Sequence, residues 1–146
     1  MATFTFVRQI AATPETVFDV LTDHRAYPEF TPIRKAELEQ EGEPAPNGVG
    51  AIRVLTSVGP PIREEIVEYD RPNRFVYRML SGAPVRDHVG TVTLEADGEG
   101  TRMVYALDTT PTVPVAGGAV VAVVKQVVKQ LANGVVKQSE KKASGA

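Results

Sequence analysis

Residues 115–138 read VAGGAVVAVVKQVVKQLANGVVKQ, and this stretch decides the fold prediction. Its apolar side chains recur every three or four residues, which places them on one face of a helix, and the polar side chains fall on the other. A helix with one apolar face needs an apolar partner, so the rest of the chain has to supply one. The apolar face comprises Val120, Val123, Val124, Val127, Val128, Leu131 and Val135, and the polar face comprises Lys125, Gln126, Lys129, Gln130, Asn133 and Lys137.

The chain before residue 111 predicts seven short strands and two small helices. Thr13 and Pro14 form a helix start in which Thr caps and Pro occupies the first turn, and a second brief helix follows over residues 25–30. Tight turns at a spacing of about ten residues favour an antiparallel meander over a parallel sheet. The predicted strands are Thr3–Ile10, Ile33–Gln40, Ala51–Ser57, Ile62–Tyr69, Arg74–Leu80, Val85–Ala96 and Thr101–Thr110.

This order of elements predicts an α+β fold of the helix-grip type. A curved seven-stranded antiparallel sheet wraps around the long C-terminal helix, and the two short helices lie between the first and second strands. With 146 residues, the chain predicts one domain over residues 1–138 and a frayed tail over residues 139–146. A sheet that curls around a helix leaves a space between them, and we expect the function there.

Composition narrows the classes of partner. The net charge of −2 provides no electropositive surface for nucleic acid. The chain has no cysteine, and its two histidines, His24 and His88, lack the paired spacing of a zinc motif. We therefore expect no bound metal, no cofactor and no nucleic-acid partner.

The apolar segments predict a cytoplasmic protein. The chain starts directly with a strand pattern and shows no signal-peptide pattern. The most apolar window, Val113–Val124, is shorter than the roughly 18–20 residues needed to span a bilayer. The sequence thus predicts no stable membrane insertion, and we expect a monomer or a weak homodimer.

Four motifs spread over the chain resemble those of one superfamily. The first is an alanine-rich link that leads into a helix with the pattern valine, aromatic, two variable residues, leucine, a variable residue and aspartate. The others are an aromatic-proline pair, a "glutamate … aspartate, x, proline, x, arginine" turn, and a "glycine, threonine, arginine" strand start. In this chain they are IAATPETVFDVLTD at residues 10–23, YPEFTP at 27–32, Glu64 with Asp70, Pro72 and Arg74, and Gly100-Thr101-Arg102.

On these motifs the chain is similar to the SRPBCC superfamily, which includes START-like, polyketide cyclase/dehydrase-like and birch-pollen-allergen-like proteins. The resemblance implies the helix-grip fold. It does not specify a ligand, because the superfamily includes lipid carriers, aromatase/cyclases, hormone receptors and co-chaperone domains on one framework. Many members have a tryptophan after the first helix, whereas this chain has Phe30 and no tryptophan, so we expect a differently shaped cavity floor.

Strand alternation indicates which polar side chains point at the helix. His88 shares the parity of Val92 and Leu94, which predicts that it faces the cavity, where an imidazole could transfer a proton or orient a carbonyl. Tyr77 and Tyr105 lie on the inward faces of their strands. The alternative for both tyrosines and His88 is that they are core or rim residues with satisfied hydrogen bonds, and the sequence favours this alternative.

Three charged residues have an ambiguous orientation. Arg53 and Glu64 could form an inward pair, or Glu64 could be solvated if Val67 faces inward instead. Arg8 could be a cavity anchor or a rim residue that extends to water. A charge on the concave face is costly unless it is paired or used, so an inward Arg53–Glu64 pair would indicate function.

Three hypotheses for function follow. The first is a carrier that holds a hydrophobic small molecule, such as a lipid, isoprenoid, steroid or aromatic polyketide, between the sheet and the helix. The second, implied by the resemblance, is a polyketide cyclase/dehydratase-type enzyme with His88, Tyr77, Arg53 and Glu64 as catalytic candidates. The third is a protein-interaction module of the co-chaperone kind. The predicted ligand-binding residues are Arg53, Glu64, Tyr77, Met79, His88, Met103, Tyr105, Val120, Val124 and Val128.

Overall fold

The computed structural model describes residues 1–145 and has the predicted α+β helix-grip architecture. One seven-stranded antiparallel sheet has the strand order β1-β7-β6-β5-β4-β3-β2. A 3-10 helix, His24–Glu29, follows α1 and leads into β2. The elements are β1 Ala2–Ile10, α1 Pro14–Thr22, β2 Lys35–Gln40, β3 Ile52–Thr56, β4 Ile62–Asp70, β5 Arg74–Ser81, β6 Val85–Asp97, β7 Gly100–Pro111 and α2 Gly117–Ala143.

The inner face of the sheet carries most of the core. On β7 every second side chain is buried, from Thr101 through Met103, Tyr105 and Leu107 to Thr109, which is the period of a strand with one covered face. Cross-strand pairing continues this apolar surface across the sheet. The face that carries Tyr105 therefore defines the interior of the molecule.

The two short helices cover one end of this interior. Thr13 caps α1, since its hydroxyl accepts a hydrogen bond from the Thr16 backbone N–H at 3.3 Å, and Pro14 takes the first turn as predicted. The Tyr27 hydroxyl in the 3-10 helix donates to the Leu21 carbonyl and is fully buried. Tyr27 thus joins the 3-10 helix to α1 and reaches the centre of the fold.

The long helix α2 is anchored through its C-terminal half. That half packs against α1, β1 and β7 and buries Val128, Leu131, Ala132, Gly134, Val135 and Ser139. At Gly134 the helix approaches the 3-10 segment so closely that a Cβ would lie 2.4 Å from the Phe30 carbonyl oxygen. A side chain at this position would push the two elements apart, so glycine permits the crossing.

The N-terminal half of α2 differs from the prediction. Val123 and Val127 were predicted on the buried stripe, but they are 63% and 49% exposed. Val127 lies about 20° from Gly134 on the helical wheel and roughly 10 Å nearer the N-terminus, on the same flank of the helix. The 3-10 segment covers this flank at Gly134 and leaves it open at Val127, so the predicted stripe is too wide in the N-terminal half, where, of its residues, only Val120 and Val124 are half-buried.

The ends of α2 also differ from the prediction. The helix begins at Gly117 rather than Val115 and continues to Ala143, so residues 139–143 are helical where a frayed tail was expected. Ser139 is fully buried, and the Glu140 carboxylate accepts a hydrogen bond from the Ala11 backbone N–H at 3.0 Å. The last residue, Ala146, lies outside the described residues.

By length and composition α2 could cross a membrane, because an 18-residue window of it has a mean hydropathy of 1.3. The uninterrupted apolar run before Lys125 is shorter than this window. In the structure 28% of that window is buried, and the C-terminal half of α2 serves as a core helix.

Candidate functional site

A buried ion pair lies on the concave face of the sheet. Arg53 on β3 and Glu64 on β4 are direct cross-strand partners, with Arg53 Nε and Nη2 lying 2.9 Å and 2.8 Å from Glu64 Oε1. Their side chains are 2% and 7% exposed. Both therefore point inward, which resolves the ambiguous parity, and Val67 faces outward.

Aromatic rings surround the Arg53 guanidinium. Its carbon lies 4.9 Å from the ring centroid of Tyr77, 5.5 Å from that of Phe75 and 5.6 Å from that of Tyr27. Burial alone would lower the pKa of Arg53, but the neighbouring Tyr27 and Glu64 oxygens raise that pKa above its ordinary value. Arg53 is therefore a permanent positive charge inside the core.

The hydrogen bonds of Arg53 leave part of its donor capacity unused. Nε donates to Glu64 Oε1, Nη2 lies 2.8 Å from the same oxygen in the ion pair, and Nη1 donates to the Tyr27 hydroxyl at 3.2 Å. A guanidinium has five N–H donors. Within the described part of the chain, three of the five therefore have an acceptor, and two are available to another molecule.

Two tyrosines stand beside this charge. The Tyr77 and Tyr105 hydroxyl oxygens are 2.5 Å apart, and both side chains are buried. Burial raises the pKa of both phenols, so both stay protonated at neutral pH. A Cβ at Gly90 on β6 would lie only 2.2 Å from Tyr77 Cζ, so the missing side chain makes room for the Tyr77 ring.

His88 faces the interior, as its parity predicted. Its Nδ1 lies 3.1 Å from the Thr109 hydroxyl, and the residue is 4% exposed. Burial lowers the pKa of His88, and the Glu64 charge opposes that shift, so the ring is neutral at neutral pH. Arg86 shares the parity of His88 but is exposed, because a bulge with Asp87 at φ 51° interrupts the alternation.

Two further residues of the candidate site, Tyr27 and His24, do not follow from strand parity. Tyr27 was quoted within a motif but not assigned to the site, although it bonds Arg53. His24 is 1% exposed, and its Nε2 lies 3.0 Å from the Glu37 carbonyl oxygen. Burial, followed by the charge of Arg53, lowers the pKa of His24 to about 4. Only the aromatic-proline motif at Tyr27 indicated either residue.

The other predicted site residues are more dispersed. Met79 is half-buried and pairs with Glu64, while Met103 is fully buried on β7. Val128 is buried, and Val120 and Val124 are half-buried on α2. Because α2 packs over β1 and β7, these valines lie toward the opposite edge of the sheet from Arg53 on β3.

Arg8 is half-buried on β1 and contacts α2. Its Nε donates to Asn133 Oδ1 on α2 at 3.0 Å, and its Nη1 donates to the Val7 carbonyl. Arg8 thus ties β1 to the long helix, and Asn133 belongs to that contact rather than to a fully solvated face.

Two spaces in the structure lie away from the predicted cavity between the sheet and α2. An open cleft of about 270 Å³ lies between α1, the 3-10 helix, the loop 41–50 and the C-terminal end of α2. A second crevice, lined by Arg53 and His24 among others, has no room for a water molecule. Neither space is lined by the α2 valines, because aromatic and aliphatic side chains fill the interior beneath the anchored half of the helix.

Comparison with known proteins places the chain in a family. The family described as "Polyketide cyclase / dehydrase and lipid transport" matches residues 1–140. The chain belongs to this family. A search of curated proteins finds no match.

Solved structures share the fold of this polyketide cyclase/dehydrase and lipid transport family member. The Zhui aromatase/cyclase from Streptomyces sp. R1128 is 21% identical, with a TM-score of 0.82 and coverage of 97% of this chain and 94% of that one. A START superfamily protein from Mycobacterium smegmatis is 15% identical, with a TM-score of 0.74 and 98% and 97% coverage. Ara h 8.0201 is 19% identical, with a TM-score of 0.72 and 99% coverage of both chains.

These likenesses confirm the predicted superfamily and the helix-grip fold. At such identities a structural likeness shows the fold alone. The family and the fold together favour either hydrophobic-ligand binding or cyclase-type activity, and the chemistry of this chain has to be argued from its own residues.

Proposed function

We propose that this chain binds a hydrophobic small molecule that carries a carbonyl or hydroxyl oxygen, and that Arg53 donates hydrogen bonds to that oxygen. The observation that carries the proposal is the buried guanidinium with two N–H donors that no described residue satisfies. A buried charge is costly when its N–H groups lack acceptors. The two Arg53 N–H groups without an acceptor therefore favour a ligand that supplies one.

The surroundings of Arg53 support an apolar ligand body. Tyr77 and Phe75 flank the guanidinium, and the inner face continues through Tyr105 and Leu107 toward α2. Ligand sites are mostly apolar with a few placed polar groups, which matches this composition. A flat, conjugated ketone would combine ring contacts with the required acceptor.

The N-terminal half of α2 supports a route for that ligand. Val120 and Val124 are only half-buried, so apolar surface remains beside the open end of the sheet. No side-chain hydrogen bond caps the first turn of α2. Movement of this half would open space above Tyr105 while α2 stays packed at Gly134.

Binding can be tested with two ligands that differ by one carbonyl. We expect 2-acetylnaphthalene to bind at least about tenfold more tightly than 2-ethylnaphthalene, because only the ketone accepts from Arg53. NMR titration of the Arg53 side-chain N–H and the α2 amides measures both dissociation constants. Equal affinities would contradict the role of Arg53.

Two sets of variants serve as controls. Val124→Trp should block both ligands, whereas Val123→Trp, at the exposed neighbouring position, should leave binding unchanged. In Arg53→Met/Glu64→Leu, which removes both charges, the two ligands should bind equally. If Val124→Trp leaves both affinities unchanged, the ligand does not lie beneath this half of α2.

A second candidate function is cyclase/dehydratase-type acid–base catalysis. The observation that favours it is a neutral imidazole on the concave face, with the His88 ring 6.4 Å from the Tyr77 ring. A neutral imidazole can remove a proton from a carbon next to a ketone, and Arg53 would stabilise the resulting enolate oxygen.

Acid–base catalysis predicts a separation of turnover from binding. His88→Ala should lower kcat for cyclisation of a linear poly-β-ketone by about 100-fold or more, with little change in the Kd of 2-acetylnaphthalene. Tyr77→Phe should show the same pattern. Parallel losses of turnover and binding would assign packing roles to both residues.

A further inference from the structure

The cleft near α1 and the closed crevice at Arg53 share two wall residues, Thr22 and Asn47. The cleft opens to solvent between α1, the 3-10 helix, the loop 41–50 and the end of α2. The crevice continues inward from Thr22 and Asn47 to Arg53 and His24. The two spaces are therefore consecutive, and these two residues form the neck between them.

The neck has one fixed side and one movable side. The Thr22 hydroxyl donates to the Phe18 carbonyl at 2.9 Å, which fixes its direction. Asn47 lies in a turn closed by a Gly48 N–H bond to the Ala45 carbonyl at 2.8 Å. Among the described side-chain hydrogen bonds none involves the Asn47 amide, so its side chain can rotate while the turn stays in place.

The inner crevice has the polarity that water requires. The Glu37 carbonyl accepts from His24 Nε2, so Nε2 carries the proton and Nδ1 of the neutral ring is an acceptor. Arg53 supplies unused N–H donors at the same crevice. Water that entered the crevice would meet N–H donors at Arg53 and an acceptor nitrogen at His24.

We infer that the cleft is a second mouth of the Arg53 site, through which water and small neutral solutes reach the guanidinium when the Asn47 side chain swings aside. The closed crevice has no room for water, so passage requires that motion. This route enters opposite to the α2 valines and goes beyond the proposed ligand-binding function.

The absence of cysteine from the chain allows a direct test. Ala51 lines the crevice and is 1% exposed, and Ala132 is 0% exposed in the core of α2. Single variants Ala51→Cys and Ala132→Cys are treated with methyl methanethiosulfonate, and intact-mass spectrometry follows the added methylthio group. Ala132 does not line the crevice, so the labelling rate of Ala132→Cys measures how often the core opens away from the neck.

We expect Ala51→Cys to react at least about tenfold faster than Ala132→Cys, because a local opening is more frequent than a global one. Adding Asn47→Trp should remove most of that difference, and adding Asn47→Gly should increase it. Equal rates for the two cysteines, or rates insensitive to both Asn47 variants, would overturn the route. Thermal unfolding of each variant verifies that the fold is intact.

The α2 side provides the matched control. Val124→Trp, which should block the hydrophobic ligand, should leave the labelling rate of Ala51→Cys unchanged. If Val124→Trp slows labelling, the reagent enters from the α2 side and the second mouth is overturned. If labelling depends on Asn47 but the naphthalene ligands do not bind, the route stands and the proposed function fails.

Discussion

Replacing Arg53 by methionine should lower the free energy of unfolding by about 3–5 kcal/mol, because the change leaves Glu64 buried without its partner. The Tyr27 hydroxyl would also lose the N–H that donates to it. Urea denaturation at neutral pH, followed by far-UV circular dichroism, measures the loss.

The double variant isolates the cause of that loss. Arg53→Met/Glu64→Leu removes both charges and should recover most of the stability. An apolar pair of similar volume then replaces the ion pair, and no buried charge is left unpaired. If the double variant is as unstable as Arg53→Met, packing of the guanidinium against the rings accounts for the effect. With its stability recovered, the double variant should bind 2-acetylnaphthalene and 2-ethylnaphthalene with equal affinity.

The second large effect is a loss of stability at acidic pH. His24 has a pKa of about 4 in the folded chain, against an ordinary value of 6.5, first because it is buried and second because Arg53 is near. Between these values the unfolded chain binds a proton that the folded chain does not. The free energy of unfolding should therefore fall by roughly 3 kcal/mol as the pH drops from 7 to 4.

A variant at His24 separates this contribution from that of other groups. His24→Gln keeps an N–H donor for the Glu37 carbonyl but does not titrate, so its stability should change much less over the same interval. His88 also has a lowered pKa and contributes with the same sign, so some acid sensitivity should remain. Identical pH profiles for the two proteins would contradict the assignment to His24. Denaturation midpoints at several pH values provide the comparison.

Local periodicity predicted much of the fold and only part of the packing. The three-and-four spacing in α2 correctly identified a long helix with a buried face at Leu131 and Val135. It could not indicate how far along the helix that face is covered. That depends on where the 3-10 segment ends beside Gly134, which is a contact between distant parts of the chain.

At the candidate site, strand parity alone likewise could not specify side-chain orientation. Alternation left Glu64 with two orientations, since register shifts flank it at Arg63/Glu64 and Ile66/Glu68. The pairing with Arg53 across β3 and β4 decides between them. Tyr27, His24 and Asn47 reach the site from turns and short helices, where side-chain direction has no simple period.

The close crossing at Gly134 is the point about which α2 would tilt if the ligand enters as proposed. From Gly134 to Gly117 the axis is about 25 Å long, at 1.5 Å per residue. A rigid tilt of roughly 10° about that crossing displaces the first turn by about 4 Å, close to the thickness of a flat aromatic ring system. A small tilt at that crossing would therefore be enough to admit a planar ligand near Val120.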